Sequence, residues 1–350
     1  GIRAHEDTIQ FAAADKVLTI YSSCYGKVTC QGEAYLPPKL LVDIIKELPP
    51  GKVELSSEQG WLKITAGTHR QCEMKLPFVD EQSWPQKPAR DHFAALPPLD
   101  AATLSYLVEQ VMICVNHESS VRYSTVAFIH SPAPGLLRMV GTDGFRLSYA
   151  ETALDVSDSS ITQGLCLSKR SLLEILRVCA EGFETIALGV STDGHTIRME
   201  VQGCEVYIRV STVSFPSYQT AIPEAQPNKV TLPKAELQSM VKRVLLTSNR
   251  HRTVMLQFAP QELQISATNA GNSEGKETLA LAEQQLESTQ VSFKGKYLLD
   301  ICSVSVNSHE LSMEYLNGSA PVILRPCNGP NNSSAIHVLV PMHEQGQSKE

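Results

Sequence analysis

Apolar and polar residues alternate with period two through most of this chain, interrupted at intervals by short runs with helical spacing, so strands dominate and helices are few. The stretch Leu136 to Tyr149, LLRMVGTDGFRLSY, predicts two strands around a tight corner. Leu137 and Met139, then Phe145, Leu147 and Tyr149, take alternate places, and Gly141 to Gly144 supplies the turn. LTIYSSC (Leu18 to Cys24) and LQISATN (Leu263 to Asn269) repeat the alternation and its small, polar ending. Each is followed by a helical run holding one carboxylate: LVDII with Asp43, LLEIL with Glu174 and LLDIC with Asp300. Two more alternating strands trail each run. The whole unit recurs three times at a spacing of about 120 to 130 residues, too long for a solenoid, and so predicts three copies of one domain.

The punctuation between elements sets the boundaries. Pro37 and Pro38 open a helix over Lys39 to Leu48, and Pro49, Pro50 and Gly51 stop it. Ser83 to Pro98, with four prolines, reads as a linker, and SFPSYQTAIP (Ser214 to Pro223) as a second crossover. The expected domains are 1–92, 93–226 and 227–350. Leu104, Leu107, Val111 and Val115 form the inner stripe of a helix, and Ser168 is placed to cap the next one. Asp193 and Gly194 read as a hairpin turn. Copies two and three open with a strand and a helix that copy one lacks. Gly1 already sits at the strand matching Val126 to Ile129, so roughly 30 residues expected from the repeat are absent, and trimming of the numbered chain is the expected reason. The chain ends with a strand over Ala335 to Met342 and a polar tail from His343.

Composition narrows the class. In 350 residues, 42% hydrophobic and 19% charged, there is material for real cores but no uninterrupted membrane-length apolar run and no signal-peptide pattern, so a cytoplasmic address is expected. Nine cysteines include no CxxC pair, and Cys72, Cys114, Cys166 and Cys302 sit within apolar alternation as reduced core residues. The net charge of −7 argues against a protein that coats nucleic acid with its whole surface. The helical runs Lys39 to Leu48, Ser168 to Val178, Lys234 to Leu245 and Lys294 to Ser303 nevertheless hold ten Lys or Arg against five Asp or Glu. No P-loop, GxGxxG, GxSxG or HExxH motif occurs and the histidines lack metal spacing, so neither an enzyme nor a cofactor is expected.

The corner VGTDGFRLS, the crossover SFPSYQTAIP and the terminal HVLVPM, each at a matching place in one of three copies, resemble the bacterial DNA sliding clamps, the beta subunits of replicative DNA polymerase III. The resemblance implies an α+β fold of three similar domains with helices inside and antiparallel sheets outside. It also implies two protomers closed head to tail around duplex DNA, bound without regard to sequence. Such a ring tethers the polymerase, the clamp loader and repair proteins through short linear motifs. A clamp paralogue that binds these partners in a regulatory or resistance role without loading on DNA is the alternative.

Site residues follow from the same resemblance. The protein-binding groove between copies two and three falls on Thr125, Thr142, Gly144, Phe145, Arg146, Leu147, Pro216, Thr220, Ala221, Val338, Val340, Pro341, Met342 and His343. Thr125 stands where relatives usually carry a larger apolar residue, and Thr220 and His343 where Arg is common. Arg122 and Tyr123 are expected DNA contacts at the ring mouth, the alternative for Tyr123 being burial under its own loop. Lys39, Lys46, Lys169, Arg170, Arg177, Lys242 and Arg243 are the expected phosphate contacts of the helices. Gln71 and Glu73, on an edge strand of copy one, and Leu246 and Arg250, near the matching edge of copy three, are the expected dimer contacts.

Overall fold

A computed structural model describes residues 1–67, 71–79, 83–156, 160–269, 271–281, 287–304 and 308–342. The repeat is visible as one pairing scheme used three times. In copy two, Val126–His130 pairs with both Leu136–Thr142 and Leu165–Ser168, Leu136–Thr142 pairs with Arg146–Ala153, and a helix leads to the meander Thr185–Ser191, Thr196–Val201 and Cys204–Arg209. Copy one repeats this with Ile2–His5, Thr8–Ala14, Leu18–Tyr25 and Gly32–Ala34, then Val53–Glu58, Trp61–Ala66 and Cys72–Pro77. Copy three repeats it with Thr253–Ala259, Glu262–Asn269, Ser273–Ala280 and Thr289–Lys294, then Glu310–Tyr315, Val322–Pro326 and Ser334–Leu339.

One register differs from the sequence reading. LTIYSSC is the return strand of its corner, matching Arg146–Ala153, and the strand that matches Leu136–Thr142 is Thr8–Ala14. The turn between them identifies the match. Asp15 Oδ1 accepts the amides of Val17 and Leu18 at 2.7 and 2.9 Å, as Asp143 Oδ1 accepts those of Phe145 and Arg146 at 3.0 and 3.1 Å. A short side-chain acceptor bonding the backbone two and three residues on is what makes Asp effective in a turn. The two aspartates occupy the same place.

Strands from different copies join into common sheets. Cys204–Arg209 of copy two lies antiparallel to Leu18–Tyr25 of copy one, and Ser334–Leu339 of copy three lies antiparallel to Arg146–Ala153 of copy two. A nine-stranded sheet thus spans the first joint and an eight-stranded sheet the second. A three-stranded sheet ending at Cys72–Pro77 and a four-stranded sheet ending at Ser273–Ala280 are left over. These two end strands occupy the repeat positions that pair at the joints, and neither has an outer partner among the described residues.

Five helices line the described part of the chain: α1 (Pro38–Glu47), α2 (Ala101–Met112), α3 (Lys169–Ala180), α4 (Lys234–Val244) and α5 (Gly295–Val304). Asp100 caps α2 by accepting the Thr103 amide at 2.7 Å, and Ser168 caps α3 by accepting that of Ser171 at 3.2 Å, each satisfying an orphan donor of the first turn. Helix α2 packs on α3 and α4 on α5. Helix α1 packs on no other helix in this way among the described residues. Leu41, Ile44 and Leu48 rest half-buried on Leu36, Leu62, Ile64 and Leu76, while Leu40, Val42 and Ile45 face solvent. Gly141 records how closely α2 lies on its sheet: a Cβ there would sit 2.7 Å from the Val111 carbonyl, closer than any side chain tolerates.

Candidate protein-binding and DNA-facing sites

The corner of copy two is built by its own side chains. Besides the two bonds to Asp143, the Thr142 hydroxyl donates to the Arg146 carbonyl at 2.8 Å and accepts the Gly144 amide at 3.2 Å. Gly144 has φ +90°, a conformation that costs a residue with Cβ, and its open side faces the Tyr123 hydroxyl. Tyr123 therefore packs half-buried against the corner, while Arg122 beside it is exposed. The corner leaves Phe145 projecting, 65% exposed.

Arg146, expected among the groove residues, lies largely beneath the surface. It is 7% exposed, and its guanidinium pairs with Asp143 at 3.0 Å and with Asp300 of α5 at 2.7 Å, donates to the Ile113 carbonyl and stacks over Tyr297 at 4.2 Å. A group so fully engaged ties copy two to copy three beneath the surface. It is not a rim charge.

Over the same joint lies a separate apolar cluster of Val140, Leu147, Tyr149, Tyr218, Ile323, Ile336 and Val338, with Phe128, Phe215 and Ile222 at its border. The crossover is strapped across it. Phe215 stacks on Phe128 at 5.2 Å, and the Tyr218 hydroxyl meets His130 Nε2 at 2.8 Å and accepts from Arg138 at 3.1 Å. Pro216, Thr220 and Ala221 are exposed on the strap. The terminal segment forms the other side: the Val340 amide donates to the Phe145 carbonyl at 3.1 Å and that of Met342 to the Ser292 carbonyl at 2.8 Å, leaving Val340 and Met342 44% and 37% exposed around buried Pro341. Thr142, Leu147 and Val338 are buried, and Thr125 is half-buried with its hydroxyl on the Arg122 carbonyl at 2.7 Å. His343 lies outside the described residues. Phe215, Tyr218, Ile323 and Ile336 were missed by the sequence reading, although alternation with Val338 marks Ile336 and the crossover contains both aromatics.

Beneath this surface a continuous line of hydrogen bonds also crosses the joint. Gln110 of α2 donates through Nε2 to the Val304 carbonyl of α5 at 2.7 Å, which leaves its Oε1 to accept from His337 Nε2 at 3.1 Å. His337 Nδ1 must then accept the Ser148 hydroxyl at 2.8 Å, and Cys114 Sγ lies 3.1 Å from Ser148. A serine donating to a histidine resembles a nucleophile and its base, but Ser148, His337 and Gln110 are at most 1% exposed and no substrate reaches them. The chain of donors fixes one neutral tautomer. Burial, reinforced by the Arg146 charge, pushes the His337 pKa down to about 3. His130 is lowered to about 4 by burial and by Arg138. A histidine that stays neutral in the fold and protonates at about 6.5 when unfolded favours the unfolded state as pH falls. Stability is thus full above pH 6.5 and declines toward pH 3. His337→Gln, which removes one of the two titrations, should flatten the decline between pH 7 and pH 4 by about 2 to 3 kcal/mol in urea denaturation.

The expected phosphate contacts of the helices fall into three groups. Lys39, Lys46 and Lys242 are exposed and without an ion pair among the described residues. Arg170 pairs with Asp15, Arg177 with Glu174 at 3.4 Å and Arg243 with Glu277, all three remaining more than half exposed. Lys169 is withdrawn: half-buried, it donates to the Val115 carbonyl at 2.6 Å just beyond the end of α2. Of the expected dimer contacts, Gln71 and Glu73 are exposed at the end strand of copy one, Glu73 held by Lys63 at 2.9 Å. Leu246, 83% exposed, projects from a turn whose Thr247 carbonyl accepts from Ser273, the first residue of the opposite end strand. Arg250 heads Thr253–Ala259, two strands in from that edge. No helix among the described residues is long and apolar enough to cross a membrane.

Residues 219–343 match the family model described as DNA polymerase III beta subunit, C-terminal domain. Over 346 residues, 97% of this chain and 89% of the relative, the sequence is 27% identical to the beta sliding clamp of Chlamydia pneumoniae. It is 23% identical over 348 residues to that of Caulobacter vibrioides, covering 97% of this chain and 90% of the relative. Among solved structures, the DNA polymerase III beta subunit of Thermotoga maritima superposes with a TM-score of 0.86 at 20% identity, covering 98% of this chain and 90% of that one. The DNA polymerase sliding clamp of Pseudomonas aeruginosa gives 0.84 at 19% identity, with coverages of 98% and 91%.

Proposed function

We infer that this chain, a member of the bacterial DNA sliding-clamp family, works as a clamp: a ring that holds a polymerase to duplex DNA and performs no chemistry. The observation that carries the reading is the pairing scheme. Each joint between copies is made by the same two strand positions, and the strands at those positions on the two ends, Cys72–Pro77 and Ser273–Ala280, have no outer partner among the described residues. An open strand edge is a template for pairing, so a second protomer placed head to tail satisfies both of these edges. Glu274 and Lys276 are exposed on the copy-three edge and add charge to that seam.

Inside such a ring, Lys39, Lys46 and Lys242, with the partly neutralised Arg170, Arg177 and Arg243, supply positive charge to phosphates without reading bases, and Arg122 adds to it from the mouth. The domains are proposed as 1–92, 93–226 and 227–350. Polymerase, clamp-loader and repair partners are proposed to dock their linear motifs where Phe145, Val340 and Met342 rise over the apolar cluster of the second joint. The protein should remain on closed circular duplex and leave after linearisation, with retention falling as salt rises, as followed by gel filtration of labelled DNA. Equal loss from both substrates would remove encirclement.

A further inference from the structure

The terminal segment of the second joint rests on a sheet surface of copy three. The Met342 amide donates to the Ser292 carbonyl at 2.8 Å and its thioether lies 3.9 Å from the Thr253 hydroxyl, so Met342 sits against the strands Thr253–Ala259 and Thr289–Lys294. In that strand pair Val254, Leu256, Phe258, Val291 and Phe293 belong to the core, which leaves the cross-strand pairs Thr253 with Lys294, Met255 with Ser292 and Gln257 with Gln290 on the other face. Lys294, opposite Thr253 and two residues on from Ser292, therefore stands beside Met342. It is exposed, its Nζ lies 5.4 Å from the centre of the Tyr297 ring that Arg146 covers at 4.2 Å, and it forms no ion pair among the described residues.

Nothing negative around Lys294 answers its charge. None of the three outer pairs holds a carboxylate, and the stretches 246–261 and 288–299, which these strands belong to, contain Arg250, Arg252, Lys294 and Lys296 but no Asp or Glu. Arg252, also exposed, is fixed to the same place, because its carbonyl accepts the Gly295 amide at 2.8 Å. Asp143 and Asp300, the carboxylates of the adjoining corner and helix, are both engaged by Arg146. A carboxylate brought to Lys294 by a partner gains a charge-assisted bond, and no existing ion pair has to break for it. In a chain of net charge −7, this local excess of cations favours an anionic neighbour and repels a cationic one.

We propose that Lys294, with Arg252 behind it, is a specificity-determining residue of the protein-binding site, and that it selects linear motifs carrying an Asp or Glu side chain next to the apolar anchor that covers Met342. The inference rests on the groove reading. It adds the charge of the partner, because a motif that leaves the apolar surface of Phe145, Val340 and Met342 on the side of Ser292 runs directly onto Lys294.

The test is fluorescence anisotropy on the full chain with labelled polymerase-tail peptides, amidated at the C-terminus and differing only in Glu or Gln placed in turn on either side of the apolar anchor. At one of the two placements the unchanged chain should bind the Glu peptide roughly three- to fivefold more tightly than its Gln twin in low salt. The ratio should fall toward one in molar salt, where charges are screened beyond about 3 Å. Lys294→Gln should abolish the preference and Lys294→Glu should reverse it. Lys229→Gln, which removes the same charge from an exposed position on the strand Asn228–Pro233, should keep it. Equal affinity of Glu and Gln peptides at both placements overturns the proposal, as does a preference that survives Lys294→Gln. A preference lost equally in Lys229→Gln also overturns it, by assigning the effect to net charge. If no peptide binds, or if Met342→Ala leaves every affinity as it was, the groove reading itself fails and the proposal with it.

Discussion

Arg146→Ala should be the most damaging single substitution in the second joint, lowering stability by roughly 3 kcal/mol or more in chemical denaturation. The side chain is 7% exposed and answers two carboxylates, one carbonyl and one ring, so its removal leaves Asp143 and Asp300 facing each other without a cation in a poorly hydrated place. Losing one partner of a buried pair is worse than losing both, because the survivor keeps its desolvation without its attraction. Asp300→Ala, by comparison, removes only one of the two carboxylates, and Asp300 is itself partly exposed, so its effect should be smaller. In a double-mutant cycle the two substitutions should couple by about 1 to 3 kcal/mol. Faster amide exchange should appear at Val340, whose bond to the Phe145 carbonyl depends on the corner staying in place. A chain that tolerates Arg146→Ala without change would show that the cluster Val140 to Val338 holds the joint alone.

The burial of Arg146 also marks where sequence reading stops. Alternation correctly showed the strands, the helical runs and the threefold repeat, because each depends on spacing within one segment. It set Leu147 and Tyr149 inward together, as they are, although their cluster belongs to the joint rather than to the core of copy two. Arg146, one residue away on the other face, was expected only as a groove residue, because nothing local signals that Asp300, 154 residues on, will meet it. The same applies to Gln110 and His337, polar residues whose satisfaction comes only from the joint. The register error at LTIYSSC has a related origin: Thr8–Ala14 has Ala12 and Ala14 where Leu136–Thr142 has Val140 and Thr142, so the weaker of two neighbouring strands lost its echo. The conserved feature was the turn aspartate, visible only as a pattern of bonds. Pairing between copies was not legible at all, since strand partners from different copies are set by the repeat's edges and not by adjacency in the chain.

Burial changes which residue best probes the protein-binding site. Met342→Ala should weaken a polymerase-tail peptide by roughly 1 to 3 kcal/mol, ten- to a hundredfold in Kd, while leaving DNA retention and stability nearly unchanged. Met342 is 37% exposed beside Val340 and reaches Thr253, so its flexible thioether is free to close on an incoming anchor, and its loss leaves no cavity in the core. Leu147→Ala acts on the same surface from below. At 4% exposure its truncation should cost about 2 to 5 kcal/mol of folding stability as well as affinity, because it empties the centre of the cluster on which Val338 and Tyr149 rest. The pair separates contact from support. Isothermal titration should report a similar fall in affinity for both, while thermal unfolding should shift only for Leu147→Ala. Phe145→Ala, at 65% exposure, should resemble Met342→Ala if the motif lies between corner and terminal segment. Full affinity in both Met342→Ala and Phe145→Ala would mean that the motif docks elsewhere on the ring.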